Sequence, residues 1–334
     1  MRDEGVAAVP GLTPAPAPGS TGGILVGDES ALFYYLHSDA ESQGCVPVRC
    51  FDLHEECAIS SEALCSFNTQ HPLFGGEPVS VLVPWRNLRI RVGGVVGRLC
   101  TSRLPFHSVL QIRQGLYICS PELVFVRMAC RLTDAQLVEA GMNLCARYFL
   151  RLDTEAIEEK ASFATTPKRL QAYVDRAAGL RGCGKAERAL RWVLPNSGSP
   201  METKMALQFR LPLRMGGFGL PFDAMNYDIR AGVRVQLCEQ RQYCIDMVSS
   251  ARKVGMEYDG EEYHRDVTSD LRRRNALLAM GWKISPVDKG ILLDPEATVK
   301  LGHQVAKNMG IRLQKPRNWE QRFEQLRIEL QLPV

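Results

Sequence analysis

Two neighbouring apolar segments carry acidic residues where carboxylates are costly to bury. Residues 242–248 contain Asp246, and residues 253–259 contain Glu257 and Asp259. Side chains alternate between the faces of a strand, so Glu257 and Asp259 project from the same side. A hairpin would bring Asp246 alongside Glu257. Because converging carboxylates repel one another in apolar surroundings, a divalent cation is the simplest compensation, and oxygen ligands suit Mg²⁺ or Mn²⁺.

Glu202 and His264 are two further candidates for this site. Glu202 follows Ser199 and Pro200 at the third position of a predicted helix. There its carboxylate can cap the helix, act as a further acid of the metal site, or do both. His264 follows the second acidic segment and could act as a general acid or base or bind phosphate. The alternative is that His264 is a structural histidine.

A basic helix follows the acidic segments and offers groups that bind phosphate. The helix predicted over residues 266–280 carries Arg272, Arg273 and Arg274. The planar guanidinium forms bidentate hydrogen bonds with phosphate, so Arg272 and Arg273 are candidate nucleic-acid contacts, and Lys204 is a weaker one. The alternative is a solvated helix face with one arginine paired to an acid. No motif indicates base-edge recognition.

The composition excludes several classes of protein. Of the 334 residues, 45% are hydrophobic and 23% charged, which excludes a disordered or fibrous chain. No apolar run reaches the roughly 18–20 residues needed to cross a bilayer, so we expect no membrane-spanning segment. Residues 1–150 carry 11 Arg, no Lys and 14 acids, giving −3, and the rest carry 30 basic and 23 acidic residues, giving +7. The basic C-terminal half is compatible with a polyanionic partner.

The cysteines predict a reduced, cytoplasmic protein. There are 11, an odd number, and the first residues lack the apolar core of a signal peptide. Cys45, Cys50, Cys57 and Cys65 form a loose cluster without the tight CxxC pairs of zinc sites. We therefore expect incidental or buried thiols, with a zinc site as the alternative.

The N-terminal half predicts a mixed α+β domain over residues 27–195, after a disordered tail at 1–26. Pro and Gly interruptions, β-branched runs and helix caps define its elements. The predicted helices are 31–37, 61–67, 121–130, 134–150, 167–179 and 184–194, and the predicted strands are 78–84 and 88–95. Thr133 and Gln136 form a capping box for the helix at 134.

The C-terminal half predicts an α/β domain over residues 196–312 with the order αβββαβα, followed by a helical tail at 313–334. The boundary near residue 195 rests on the Pro-Asn-Ser-Gly break at 195–198. The predicted elements are helix 200–211, strands 224–230, 242–248 and 253–259, helix 266–280, strand 282–287 and helix 294–309. In the tail, Trp319, Phe323, Leu326 and Leu330 have helical spacing, which is typical of a packing stripe.

This second half resembles the PD-(D/E)XK nuclease superfamily, and within it the Vsr-like endonuclease-related domains common in actinobacteria. The resemblance covers residues 199–307. Its most specific parts are Val254-Gly-Met-Glu-Tyr-Asp-Gly-Glu-Glu-Tyr-His264 and Asp270-Leu-Arg-Arg-Arg-Asn-Ala-Leu-Leu-Ala-Met-Gly-Trp-Lys-Ile284. The segment Ser120-Pro-Glu-Leu-Val-Phe-Val-Arg-Met-Ala129 resembles the domain that precedes such modules, and loosely the AbiEi-type antitoxins.

The resemblance implies a restriction-endonuclease-like αβββαβ core and metal-dependent hydrolysis of DNA phosphodiesters. Asp246 and Glu257 match the metal-binding acids, with Asp259 and Glu202 as further acids of the site. Asp259 stands where the superfamily motif has a lysine, whose role would pass to Lys253, His264 or an arginine of the next helix. An acid at this place is usual among Vsr-like members.

Three functions remain open from the sequence. The first is a Mg²⁺- or Mn²⁺-dependent DNA endonuclease in repair or defence. The second is a non-catalytic nucleic-acid-binding or antitoxin-like regulator that retains the nuclease fold, which the missing lysine favours. The third is a protein-interaction module based on the β-rich N-terminal half.

Overall fold

The protein is an α/β protein with three β-sheets, as a computed structural model of the chain shows. The structure describes residues 22–39, 44–57, 74, 78–92, 94–230, 242–260 and 267–334. The helix predicted at 61–67 and His264 lie outside these residues. No helix in the described ranges is both long and apolar enough to cross a membrane.

The chain divides into two compact units that interleave along the sequence. Unit 1 lies within residues 1–128, 149–164 and 172–181, and unit 2 comprises residues 129–148, 165–171 and 182–334. Residues 129–148, which the sequence pattern placed in the N-terminal domain, therefore group with the C-terminal half. Breaks along the sequence cannot predict this grouping, because it depends on packing between residues that are distant in the chain.

Unit 1 contains a seven-stranded mixed sheet with the strand order β2-β6-β7-β1-β3-β5-β4. Its strands are β1 Ile24–Val26, β2 Val46–Val48, β3 Val79–Val83, β4 Arg91–Val92, β5 Val95–Leu99, β6 Val109–Arg113 and β7 Leu116–Cys119. The prediction of a tail over residues 1–26 is wrong for its last part. Strand β1 lies inside the sheet, parallel to β7 and antiparallel to β3, and its three residues are buried.

The strand predicted at 88–95 is instead a turn and two short strands. A 3₁₀ turn at Arg86–Leu88 precedes β4, and β4 and β5 form a hairpin. Gly94, with φ of 73°, lies in the connecting turn, where a left-handed backbone favours glycine. The chain therefore reverses between β4 and β5, and the single strand predicted at 88–95 is wrong.

The helices and remaining strands up to residue 190 include five predicted helices, together with a short helix at 53–56 and two strands, at 148–150 and 157–159, that the sequence pattern did not predict. They are α1 Asp28–His37, α2 Leu53–Glu56, α3 Pro121–Met128, α4 Asp134–Leu144, β8 Tyr148–Leu150, β9 Ile157–Glu159, α5 Pro167–Arg176 and α6 Cys183–Leu190. The Thr133–Gln136 capping box is confirmed. The helix predicted to reach residue 150 ends at Leu144, because Tyr148–Leu150 pairs with β9 in a two-stranded sheet.

Unit 2 contains a four-stranded sheet with the order β10-β11-β12-β13. Its elements are α7 Pro200–Arg210, β10 Ala224–Arg230, β11 Gln242–Ser249, β12 Val254–Asp259, α8 Val267–Ala279, β13 Lys283–Asp288, α9 Lys289–Leu293, α10 Pro295–Asn308 and α11 Trp319–Glu329. Strands β10 to β12 are antiparallel, and β13 runs parallel to β12 after the α8 crossover. The predicted αβββαβ order of elements is present, α10 corresponds to the helix predicted at 294–309, and α9 was not predicted.

The C-terminal segment is packed as the spacing of its apolar residues predicted. Trp319, Phe323, Leu326 and Leu330 are all buried. The indole Nε1 of Trp319 donates to the carbonyl of Gly217 at 2.9 Å. Helix α11 is therefore an integral part of unit 2.

Candidate functional site

Glu202 is positioned by the start of helix α7. The Ser199 hydroxyl accepts a hydrogen bond from the Glu202 amide at 3.1 Å. Pro200 occupies the first turn, where a backbone N–H would have no partner within the helix, so its missing N–H costs nothing. The Glu202 carboxylate reaches back and accepts from the Gly198 amide at 2.8 Å. The same oxygen accepts from the Asn226 side-chain amide at 2.8 Å. Glu202 therefore closes the helix terminus and also contacts strand β10.

A pair of asparagines, which the sequence did not single out, fixes this contact. Asn226 has φ of 45° and donates to the Asn196 carbonyl at 2.9 Å as well as to Glu202. Asn196, with φ of 74°, donates back to the Met225 carbonyl at 3.1 Å. Asparagine tolerates the left-handed region better than other non-glycine residues. The sequence indicates the break at 195–198, but it does not predict that Asn196 forms hydrogen bonds with strand β10.

The strand register places two of these polar residues opposite each other. The β10–β11 ladder pairs Met225 with Met247 and Tyr227 with Ile245, which places Asn226 opposite Asp246. The β11–β12 ladder ends at the pair of Met247 and Met256, and just beyond that end the charge of Glu257 acts on Asp246. The hairpin expected from the sequence therefore brings the two acids together.

Asp246 lies in the part of the site where negative charge is least compensated. Burial, followed by the charge of Glu202 and the smaller effect of Glu257, raises the pKa of Asp246 to about 7. The Tyr258 amide, which donates to Asp246 Oδ2 at 2.7 Å, and the charge of Arg273 oppose this rise without cancelling it. Burial also raises the pKa of Glu202, although the Gly198 and Asn226 donors favour its charged form. Burial is thus the main reason why the neutral form of both acids is favoured.

Glu257 is paired with one of the three helix arginines. Nη2 of Arg273 donates to Glu257 Oε1 and, at 2.7 Å, to the Cys244 carbonyl. The side chains of Arg273 and Glu257 are 21% and 18% exposed. The Arg273 guanidinium also lies over the Tyr243 ring, 5.7 Å from its centroid. Arg272 and Arg274 are exposed, so this helix face has one arginine paired with an acid, the alternative considered from the sequence.

The other predicted residues have different surroundings. Asp259 ends β12 in register with Asp288 of β13. Lys204 lies near Glu139, where burial raises the pKa of Glu139 to about 7 against the lowering effect of the lysine charge. Lys253 donates to the Met280 carbonyl at 3.1 Å, at the end of α8. Lys204 and Lys253 are therefore each engaged within the protein.

Arg147 is a basic residue of the site that sequence reasoning missed. Its charge lowers the pKa of Glu202 and also that of Cys244, against the raising effect of burial on both groups. Arg147 lies just before β8, and its amide donates to the Ser197 carbonyl at 3.0 Å. No sequence signal connects it to residues more than 50 positions away. Its position depends on the packing of unit 2.

The donor chemistry of the site fits Mg²⁺ or Mn²⁺. Among the described residues, no group of three or more His, Cys, Asp and Glu side chains is arranged to hold a metal ion. Mg²⁺ does not need such a group, since it keeps several waters and commonly uses one or two protein carboxylates. Asp246 and Glu202 supply oxygen donors, and burial is the main cause of the raised pKa of each. The same geometry gives no support for zinc.

In comparisons with known proteins, no family model, no curated protein and no solved structure matches this chain.

Proposed function

We propose that this chain is a metal-dependent DNA endonuclease, with the carboxylate site on α7, β11 and β12 as its centre. One observation supports it above the others. Glu202, Asp246 and Glu257 come from three separate elements, and burial, together with the charges of Glu202 and Glu257, raises the pKa of Asp246 to about 7. Strongly perturbed carboxylates in a cluster are typical of functional sites. The choice of DNA as substrate comes from the resemblance of residues 199–307 to Vsr-like nucleases.

In this proposal Asp246 and Glu257 hold Mg²⁺ or Mn²⁺, and Glu202 adds negative charge beside them. The cation, when bound, lowers the pKa of a water and offsets charge on the scissile phosphate. The Tyr258 amide orients Asp246 through Oδ2, and the Asn226 amide orients Glu202. These fixed donors hold the acids in place before substrate arrives, which reduces the reorganisation needed during reaction.

Arginines replace the missing motif lysine in this proposal. Asp259 occupies the lysine position, and Lys253 bonds to the end of α8. Arg147 and Arg273 bring the positive charge that acts on the carboxylates. Arginine suits a phosphodiester because it offers paired donors in a planar fork. Arg272, exposed on α8, then contacts the DNA backbone away from the scissile phosphate. His264 remains a proposed general acid or base.

The proposal includes a cytoplasmic location, with thiols that stay reduced. In the described part of the chain the nine cysteines are free, and five of them are buried. This agrees with cysteines that serve as small core residues.

The test is cleavage of plasmid and mismatched duplex DNA with Mg²⁺ or Mn²⁺. We expect Asp246→Asn and Glu257→Gln to lower the rate by roughly 1,000-fold, since the cation supplies several kcal/mol of transition-state stabilisation. Asp259→Ala is a further arm. Asp228→Asn, an exposed acid on β10, is the matched control and should cut like wild type. Equal cutting by wild type and both site variants would show that the activity does not come from this site.

A second candidate is a non-catalytic nucleic-acid-binding regulator with a residual nuclease fold. The observation that favours it is the pairing of Arg273 with Glu257, which fills the place of a cation with a side chain. Metal-dependent cutting by wild type excludes this candidate. DNA binding without cutting on any substrate supports it.

A further inference from the structure

We propose that Arg273 is an internal counter-ion that competes with a divalent cation for Glu257, so that the cation binds only when this guanidinium is displaced. The inference rests on the proposed function in treating Asp246 and Glu257 as metal ligands. It concerns the chain's own residues and does not require that the site cleave DNA.

The contacts of Arg273 identify it as the side chain in the cation's place. Its Nη2 donates both to Glu257 Oε1 on β12 and to the carbonyl of Cys244 on the neighbouring strand β11. Its charge also favours the ionised form of Asp246. A single guanidinium thus acts on both acids to which the resemblance assigns the metal. In this position the guanidinium supplies to Glu257 Oε1 the positive charge that a bound cation would otherwise supply.

The guanidinium is held by fewer contacts than its donors allow. Arginine has five N–H donors, and the Nε of Arg273 is buried with no hydrogen-bond partner in the described structure. An unmade hydrogen bond at a buried donor has a free-energy cost. Stacking on Tyr243 and the two Nη2 bonds therefore hold Arg273 in a position that leaves one donor unsatisfied. Movement towards an external anion would relieve that cost.

Displacement also follows from charge balance. Arg273 brings one positive charge to Glu257 and to strand β11, which carries Asp246. A divalent cation brings twice the charge to the same position. To bind, the cation must break the pair of Arg273 and Glu257. Its apparent affinity is therefore reduced in proportion to the fraction of molecules in which Arg273 is displaced.

The experiment measures Mn²⁺ binding to the full chain without DNA, by electron paramagnetic resonance and by calorimetry. We expect Arg273→Gln to bind Mn²⁺ about 10-fold more tightly than wild type, because the competing charge is gone. Arg274→Gln, an exposed arginine on the same helix, is the matched control and should bind like wild type. Arg273→Lys keeps the charge and should gain little.

A second measurement on wild type keeps the inference falsifiable if Arg273→Gln does not fold. Mg²⁺ titration of protein carrying ¹⁵N-labelled arginine should shift the Arg273 Nε resonance with the same dissociation constant as calorimetry. Binding of Mg²⁺ that leaves this resonance unmoved overturns the inference. So does equal or weaker Mn²⁺ affinity in folded Arg273→Gln.

The outcomes separate this inference from the proposed function. Tighter Mn²⁺ binding in Arg273→Gln, without cutting of any DNA by wild type, supports the inference and rejects the nuclease. Cutting by wild type with unchanged Mn²⁺ affinity in Arg273→Gln supports the nuclease and rejects the inference. No Mn²⁺ binding by any variant rejects both.

Discussion

Each of the two units contains a buried arginine–carboxylate pair, and the two pairs differ in charge balance. In unit 1, Arg127 donates from Nε to Asp28 Oδ1 at 2.5 Å and from Nη2 to Asp28 Oδ2 at 3.0 Å. In unit 2, Arg273 bonds to Glu257 through a single nitrogen. The side chains of Arg127 and Asp28 are 17% and 3% exposed, so both pairs are largely removed from water.

The difference agrees with a structural role for the pair in unit 1 and with the proposed site in unit 2. Burial opposes the charge of Arg127, yet the hydrogen bond and charge of Asp28 outweigh it and the pKa of Arg127 is raised. One acid and one arginine compensate each other there. In unit 2 Arg273 pairs with Glu257 and Arg147 acts on Glu202, while burial raises the pKa of Asp246 to about 7. An uncompensated cluster is stable only at a cost, which a bound cation would remove.

The largest expected effect is on the balanced pair. Arg127→Ala should lower the free energy of unfolding by about 3–5 kcal/mol, because it leaves Asp28 buried without its partner. Urea denaturation followed by circular dichroism measures this. Arg103→Ala, at an exposed position of the same unit, is the control and should change stability by less than about 0.5 kcal/mol. A loss below about 1 kcal/mol for Arg127→Ala would remove the contrast between the pairs.

For the cluster in unit 2, we expect the free energy of unfolding to depend on pH, because the pKa of Asp246 is raised in the folded chain. The pKa of Asp246 is about 7 in the folded chain and roughly 3.9 when unfolded. The stability that this raised pKa contributes is fully present below about pH 4 and is lost as the pH rises through about 7. Asp246→Asn removes this dependence and keeps an acceptor for the Tyr258 amide. Without divalent cations, we expect the variant to be about 2–4 kcal/mol more stable than wild type above pH 7.

The measurement is denaturation from pH 4 to 8 in the presence of a chelator. Asp228→Asn serves as the control for loss of one exposed acid on the same sheet, and its curve should run parallel to that of wild type. A wild-type minus Asp246→Asn difference that stays constant with pH would mean that Asp246 is already compensated in the folded chain.

The smallest effect concerns Arg147, which we expect to add charge at the rim of the cluster. Arg147→Ala should weaken DNA binding about 3- to 10-fold and reduce the slope of log affinity against log salt by about one, as expected for one lost phosphate contact. Fluorescence anisotropy at several salt concentrations tests this. Arg191→Ala, at an exposed position of unit 2, is the control. An unchanged salt slope would assign Arg147 to the internal support of Glu202 alone.

The sequence predicted the element order of unit 2 because its signals are local. Strand β10 has the predicted bounds, and β12 and α8 differ from prediction by one residue at each altered end. Alternation, helix caps and glycine stops depend on neighbouring residues only. The same local signals placed Glu202 at a helix start and Asp246 and Glu257 on paired strands.

Local signals were insufficient where pairing over long distances decides the structure. Strand β1 has three residues, too few for a pattern, and it forms because β3 and β7 offer ladders on both sides. The helix after Thr133 ends early because residues 148–150 find a strand partner. Tertiary context overrides propensity in both cases.

The sequence by itself determined the α/β class, the order of elements in unit 2 and the residue types that could bind a cation. Only the tertiary structure decided which basic residues reach those acids. Arg273 pairs with Glu257 whereas Arg272 and Arg274 remain exposed, and Arg147 approaches from a segment distant in the chain. The physical reason is that charge compensation depends on distance in space and on burial, and neither quantity is encoded in spacing along the chain.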